Sequence, residues 1–161
     1  MTEDGAAAEV VLVTSGDEKH PPENITDRKM ETFWMSTGMF PQEFIIRLSS
    51  AVKISLITVH SYNVRDLKIE KTTSNDITEF EPLAEKEFEC TEGHLQTNDF
   101  SVSKALLDLG DLCYLCRYCD NCIKFLLQFN ATTATRLRFI ITSGYDHFIS
   151  VHNVTVDGKY E

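Results

Sequence analysis

The chain has 161 residues, 15 Lys and Arg against 25 Asp and Glu, and 42% hydrophobic residues, the profile of one soluble globular domain. A chain of this length buries enough surface to own a core without a disulfide or zinc staple. Its formal net charge of -10 repels phosphate backbones and anionic bilayers, and no run of Lys or Arg overrides it, so nucleic acid and membrane are excluded as expected partners.

Residues 1–8, expected to be disordered, open with Glu3 and Asp4 and lack the basic and apolar regions of an export signal. Residues 9–14 form the first expected strand. The stiff pair Pro21-Pro22 then leads into a polar loop that ends at Trp34, the one tryptophan. Residues 43–48 and 53–62 cluster β-branched and aromatic side chains over strand-length windows. In the next expected strand, residues 64–72, Leu67 and Ile69 take one face while Lys68 and Glu70 take the other. Residues 79–92 are rich in Glu with Lys86 alone opposing, which reads as a solvated edge. Residues 136–142 alternate Leu137, Phe139 and Ile141 with Arg136 and Arg138, and residues 149–156 close the series. Outside residues 103–130 no 3.6-residue period is present, so the body is expected to be an all-β antiparallel sandwich spanning residues 9–158, with residues 159–161 as a tail.

Residues 105–130 are compositionally foreign: 17 of these 26 belong to the hydrophobic set, and the stretch is expected to be an insertion into the sandwich. It carries Cys113, Cys116, Cys119 and Cys122, each three residues from the next. Thiolates at that spacing can converge on zinc or an iron–sulfur centre. On a helix they would instead form a slanting row beside Leu112, Leu115, Ile123 and Leu126. A metal centre, a helical hairpin, an unstructured loop, and an alternative exon or translated intron interrupting two adjacent strands all remain open readings. Five cysteines in total, four of them crowded together, argue against an exported disulfide framework. The sequons at Asn24, Asn130 and Asn153 are accordingly expected to be chance matches.

The stretch Asn24-Ile25-Thr26-Asp27-Arg28, followed by Thr32-Phe33-Trp34, resembles the first loop of the discoidin or galactose-binding-like family, with Arg28 where that family has glycine. The resemblance implies calcium bound through Asn24, Asp27 and Thr32, because a hard cation takes 6–8 oxygens and one loop can supply carboxylate, hydroxyl and carbonyl together. The plainer reading is an Asx-type turn at Asn24 and Asp27, a strand entry capped by Thr32, and a core tryptophan.

Beyond this loop, residues 15–25, 31–34, 37–46, 67–71, 91–93, 137–141 and 146–148 resemble, in order and spacing, the small galactose-binding-like subunits of intraflagellar transport complex B. The likeness covers residues 9–104 and 131–158. It implies a galactose-binding-like jelly-roll sandwich acting as a non-enzymatic adaptor in cytoplasm, cilium and basal body. Its implied partners are a Rab-like small GTPase subunit and other complex B subunits, and its implied roles are ciliary cargo export and Hedgehog signalling. Exposed loop aromatics such as Phe40 and Tyr145 are compatible with docking. The alternative from another class is a calcium-dependent carbohydrate-binding, lectin-like module. Asp146, His147 and His152 are expected to pack or hydrogen-bond, since no nucleophile elbow, His-Glu-x-x-His or phosphate loop accompanies them.

Overall fold

A computed structural model describes residues 7–74, 78–101 and 133–160. The expected insertion at 105–130, with Cys113, Cys116, Cys119 and Cys122, lies outside the described residues. Among the described residues eight strands follow one another: β1 (Ala8–Val13), β2 (Trp34–Met35), β3 (Gln42–Tyr62), β4 (Val64–Thr72), β5 (Glu81–Glu87), β6 (Gln96–Ser101), β7 (Thr133–Gly144) and β8 (Ser150–Tyr160). A 3-10 turn, Pro22–Ile25, starts on the second proline of the stiff pair. A proline tolerates that position because its missing N–H would have had no partner there.

The two strands expected at 43–48 and 53–62 are one 21-residue strand, β3. Its first half pairs with β1 and β7, and its second half pairs with β6 and β8, with a register shift between Arg47 and Val52. Ser49, Ser50 and Ala51 occupy that shift; without Pro or Gly the backbone stays extended while the strand turns from one sheet into the other. One sheet therefore runs β1-β3-β7-β4-β5 and the other β6-β3-β8-β2, with every pairing antiparallel.

The alternation read in β4 and β7 holds. Leu67, Ile69, Leu137, Phe139 and Ile141 are buried, while Arg138 stays on the outer face between Glu43 at 2.6 Å and Glu70 at 3.5 Å. Trp34 meets Phe44 edge-on with ring centres 5.7 Å apart, and Phe44 stacks on Phe139 at 4.7 Å, forming the aromatic spine of the core. The acidic stretch at 79–92 is an edge, as read, but it also holds β5, which among the described residues pairs with β4 alone. β6, Gln-Thr-Asn-Asp-Phe-Ser, shows no apolar alternation in the sequence; backbone pairing to β3 makes it a strand.

Gly158 sits opposite Ile54 beside a bulge of the β3–β8 ladder, and a Cβ there would lie 2.3 Å from the Lys53 carbonyl oxygen. Backbone cannot yield as a side-chain tip does. Gly158→Ala is therefore expected to destabilise the domain by about 1–3 kcal/mol, as overpacking does. A urea midpoint equal to that of the wild type would show that the ladder opens freely at this point.

Candidate functional site

The Asn24–Trp34 loop leaves the 3-10 turn and returns into β2. Its entry is pinned from below: Ile25 and Trp34 have no solvent exposure, and the Trp34 indole N–H donates to the Ser15 carbonyl at 2.9 Å. Of the three expected ligand residues, Asp27 and Thr32 are in contact in this loop. The Asp27 Oδ1 accepts the Lys29 amide N–H at 2.9 Å, and its Oδ2 accepts the Thr32 hydroxyl. The Asn24 Nδ2 donates across the loop to the Phe33 carbonyl at 3.0 Å, which closes its two ends. Arg28, standing where glycine was expected, has φ 62°, the left-handed region that glycine enters without strain.

The local turn reading therefore describes the hydrogen bonds, since Asp27 to Lys29 is an Asx-type turn. Asp27 and Thr32 are in contact and partly buried, so one carboxylate and one hydroxyl of this loop stand side by side. Among the described residues no group of three or more His, Cys, Asp or Glu is placed to hold a metal, so a cation in this loop would depend on hydroxyl, amide and carbonyl oxygens beside one carboxylate.

His152 packs and hydrogen-bonds as the sequence reading expected, whereas His20 and His60 carried no signal in the sequence. The rings of His20 and Phe33 stack with centres 4.1 Å apart, and Phe33 tilts over His152 at 5.0 Å. The His152 Nδ1 lies 2.9 Å from the Met30 carbonyl oxygen, so β8 fastens the loop from the side. Asp146, His147 and His152 form no catalytic grouping: Asp146 accepts the His147 amide N–H at 2.7 Å, and His152 serves the loop. His60, on β3, lies 3.1 Å from the Thr97 hydroxyl. Burial holds the His60 imidazole below its ordinary value of 6.5; Asp99 pulls the other way and His152 adds to the depression. Its neutral form is thus favoured by folding, so its contribution is fully present above pH 6.5 and is lost as pH falls through the lower folded value. His60→Gln is expected to flatten the stability loss between about pH 7 and 5, read by urea unfolding at each pH. An unchanged slope would assign that loss to other groups.

At the end of the sandwich where β7 leads into β8, the loops form an apolar tip. Phe40, expected to be exposed, is half-buried, because its ring lies over Gly144: a Cβ on that glycine would be 2.7 Å from the ring's Cζ. Met39 and Phe148 take the exposed role instead, at 89% and 56% exposure, and Tyr145 is 40% exposed as it was expected to be accessible. Thr37, Gly38, Met39, Phe40, His147 and Phe148 line a cleft of about 440 Å³ there. The tip is braced from within. The Gln42 Oε1 accepts hydroxyls from Thr14 at 2.8 Å and Ser15 at 2.6 Å, while its Nε2 donates to the Met39 carbonyl at 2.6 Å. Buried Ser36 exchanges backbone and hydroxyl hydrogen bonds with Ile149 at 3.0 and 3.1 Å. Neither Gln42 nor Ser36 carried any signal in the sequence, since polar side chains in short loops look the same whether buried or not.

The chain is 45% identical over 150 residues to the Mus musculus intraflagellar transport protein 25 homolog, covering 93% of this chain and 86% of that one. The chain belongs to the intraflagellar transport protein 25 family. The Homo sapiens homolog is 44% identical over 151 residues, covering 94% of this chain and 86% of that one. No protein-family model matches the chain. Among solved structures, the family 32 carbohydrate-binding module of Clostridium perfringens NanJ in complex with galactose superposes with a TM-score of 0.64 at 15% identity, over 94% of this chain and 97% of that one. Reduced XRCC1 bound to DNA pol beta catalytic domain gives 0.70 at 13% identity, over 96% of this chain and 99% of that one. These likenesses carry the fold, which is the galactose-binding-like β-sandwich. The family's members are intraflagellar transport proteins, so this chain is a transport protein and a member of an intraflagellar transport complex. No helix among the described residues is long and apolar enough to cross a membrane.

Proposed function

We propose that this chain is a non-enzymatic adaptor subunit of intraflagellar transport complex B that holds a Rab-like small GTPase subunit in the cilium and at the basal body, contacts other complex B subunits, and supports cargo export and Hedgehog signalling. The observation that carries the proposal is identity of 44–45% to intraflagellar transport protein 25 homologs along more than nine-tenths of the chain. Identity at that level along nearly the whole chain exceeds what a shared fold alone requires, and function resides in sites rather than in the fold. The lectin-like alternative has behind it likenesses at 15–19% identity, which reach the fold and stop there. The deciding experiment is co-purification of the full chain with the Rab-like subunit, run beside a form lacking residues 105–130 and beside a glycan array. A galactoside bound by the array, with no GTPase retained, would replace the adaptor by a lectin.

Calcium belongs to the same proposal as a structural ion. Asn24, Asp27 and Thr32 would hold it in the loop above Trp34, and the ion would stiffen the loop without joining any reaction. Binding to the native state alone adds RT ln(1 + [L]/Kd) to stability. Asp27→Ala is expected to remove the calcium-dependent rise in melting temperature while changing little in chelator. Equal melting shifts for the variant in both buffers would remove calcium from this account.

A further inference from the structure

We infer that β6 and β7 are two halves of one strand along β3, and that residues 102–132 enter the fold at the single seam between them, so that the chain without residues 105–130 is a complete sandwich with unchanged loops at its opposite end. This goes beyond the adaptor reading and does not depend on it.

The register of β3 carries the inference. Val52 and Lys53 pair with β7 and with β8 at once, and residues 56–61 pair with β6 and with β8 at once. A strand has two edges, and β8 holds the same one throughout, so β7 and β6 share the other. Both run antiparallel to β3 and therefore lie end to end in the same direction. Ser101 stands opposite Leu56 and Thr133 opposite Lys53, with Ile54 and Ser55 between those two positions of β3. At about 3.3 Å per residue, the two sides of the seam are about 10 Å apart. The 31 residues from 102 to 132 thus leave the sandwich and rejoin it at one place. The five that a deletion of 105–130 would keep, 102–104, 131 and 132, reach roughly 16 Å when extended, more than the seam needs.

Both sides of the seam are anchored. Phe100, next to the exit, is buried and tilts against Phe88 with ring centres 6.1 Å apart. At the return, buried Lys71 donates through its Nζ to the Thr133 carbonyl at 3.3 Å, and the Thr135 hydroxyl donates to the Thr72 carbonyl at 3.1 Å. The cost of holding two ends together grows only with the logarithm of the length between them, so a long segment whose ends are already fixed side by side leaves the ladder intact. The seam is also remote from the loops. Gln42 pairs with Ile141 and Tyr62 with Ser150, so both ends of β3 lie beside the 145–149 loop, and Trp34 opposite Val151 brings the 24–34 loop to that same end. The corner at Ser49–Ala51, and the seam that follows it along β3, lie at the other end. A chain with or without residues 105–130 would therefore present the same loops.

The test compares the full chain, a form lacking residues 105–130, and a form in which those residues are replaced by a Gly/Ser linker of equal length. Both variants should keep the β signal of the full chain in circular dichroism, and the shortened form should melt at the same temperature or a few degrees higher, because it closes a shorter loop. Amides of β6 and β7 should be protected from hydrogen exchange alike in all three, since the ladder to β3 is the same. Backbone chemical shifts of residues 36–41 and 145–149 should not move. If the shortened form unfolds while the linker form folds, the two ends do not meet at one seam and the inference is wrong. If both unfold, residues 105–130 belong to the core and it is wrong again. Shifts that move at 36–41 or 145–149 in a folded variant would show that the segment reaches the opposite end, which overturns the separation claimed for it. GTPase binding does not enter these readouts, so the adaptor reading stands or falls on its own experiment.

Discussion

Trp34→Ala should cost the domain about 3–5 kcal/mol, the range for removing a large buried aromatic side chain without refilling its space. The side chain is fully buried, packs edge-on against Phe44, and through Phe44 joins the stack with Phe139 that runs across the core. Its N–H also satisfies the Ser15 carbonyl, the residue whose hydroxyl accepts the Thr37 amide N–H at 3.1 Å. Truncation therefore empties the core beneath the 24–34 loop and leaves a carbonyl unpaired at the brace of the apolar tip. For a domain of this size the melting temperature should fall by roughly 10 °C. Trp34→Phe keeps much of the volume and loses the N–H, so it should cost about 1–3 kcal/mol. Urea unfolding followed by circular dichroism measures both variants, since the one tryptophan is the residue removed. A loss under about 1 kcal/mol for the alanine variant would mean that the core closes over the gap, and the role given to Trp34 would be wrong.

Gln96→Leu should be almost as damaging, although the side chain changes little in size. Gln96 is buried at the start of β6, and both ends of its amide are engaged. Its Oε1 accepts the Ser61 hydroxyl at 3.0 Å and the Val64 amide N–H at 3.1 Å. Its Nε2 donates to the Val64 carbonyl at 2.8 Å and the Glu89 carbonyl at 2.9 Å. One amide thereby closes the turn between β3 and β4 and ties the segment after β5 to it. A leucine would leave these groups without partners in a place water does not reach, at a cost on the order of 3–5 kcal/mol. Hydrogen exchange gives a local reading: the Val64 amide should lose most of its protection, beyond what the global loss of stability explains. Retained protection at Val64 would show that another group takes over the turn.

The strands that announced themselves were those whose two faces differ. β4 and β7 each place apolar side chains on every second residue with charges between, a pattern that only a half-buried strand explains, and the structure puts Leu67, Ile69, Leu137, Phe139 and Ile141 inside as that pattern requires. β6 escaped detection because Gln96 is buried for its hydrogen bonds, and no count of hydrophobicity registers that. The two windows expected at 43–48 and 53–62 were read from clustered β-branched and aromatic side chains, and Ser49, Ser50 and Ala51 between them add nothing to that signal, yet an extended corner between two sheets accommodates them. For the loop at 24–34, the spacing was enough to bring Thr32 back onto Asp27, because residues so near in sequence need only a turn to meet.

Local chemistry thus determined by itself the all-β class, the inward faces of the patterned strands, and the contact of Asp27 with Thr32, since each depends on residues within one strand or one turn. The tertiary structure alone decided which residues far apart in the chain share a surface. Met39 and Phe148 border one cleft, Gln42 braces Thr14, Ser15 and Met39, and His152 reaches back to Met30. The physical reason is that antiparallel pairing in a jelly roll brings strand ends together from distant parts of the chain, and the exposure of a loop residue depends on what those neighbours cover. Phe40 and Met39 stand side by side in the sequence, yet the ring settles over Gly144 while the thioether is left to solvent.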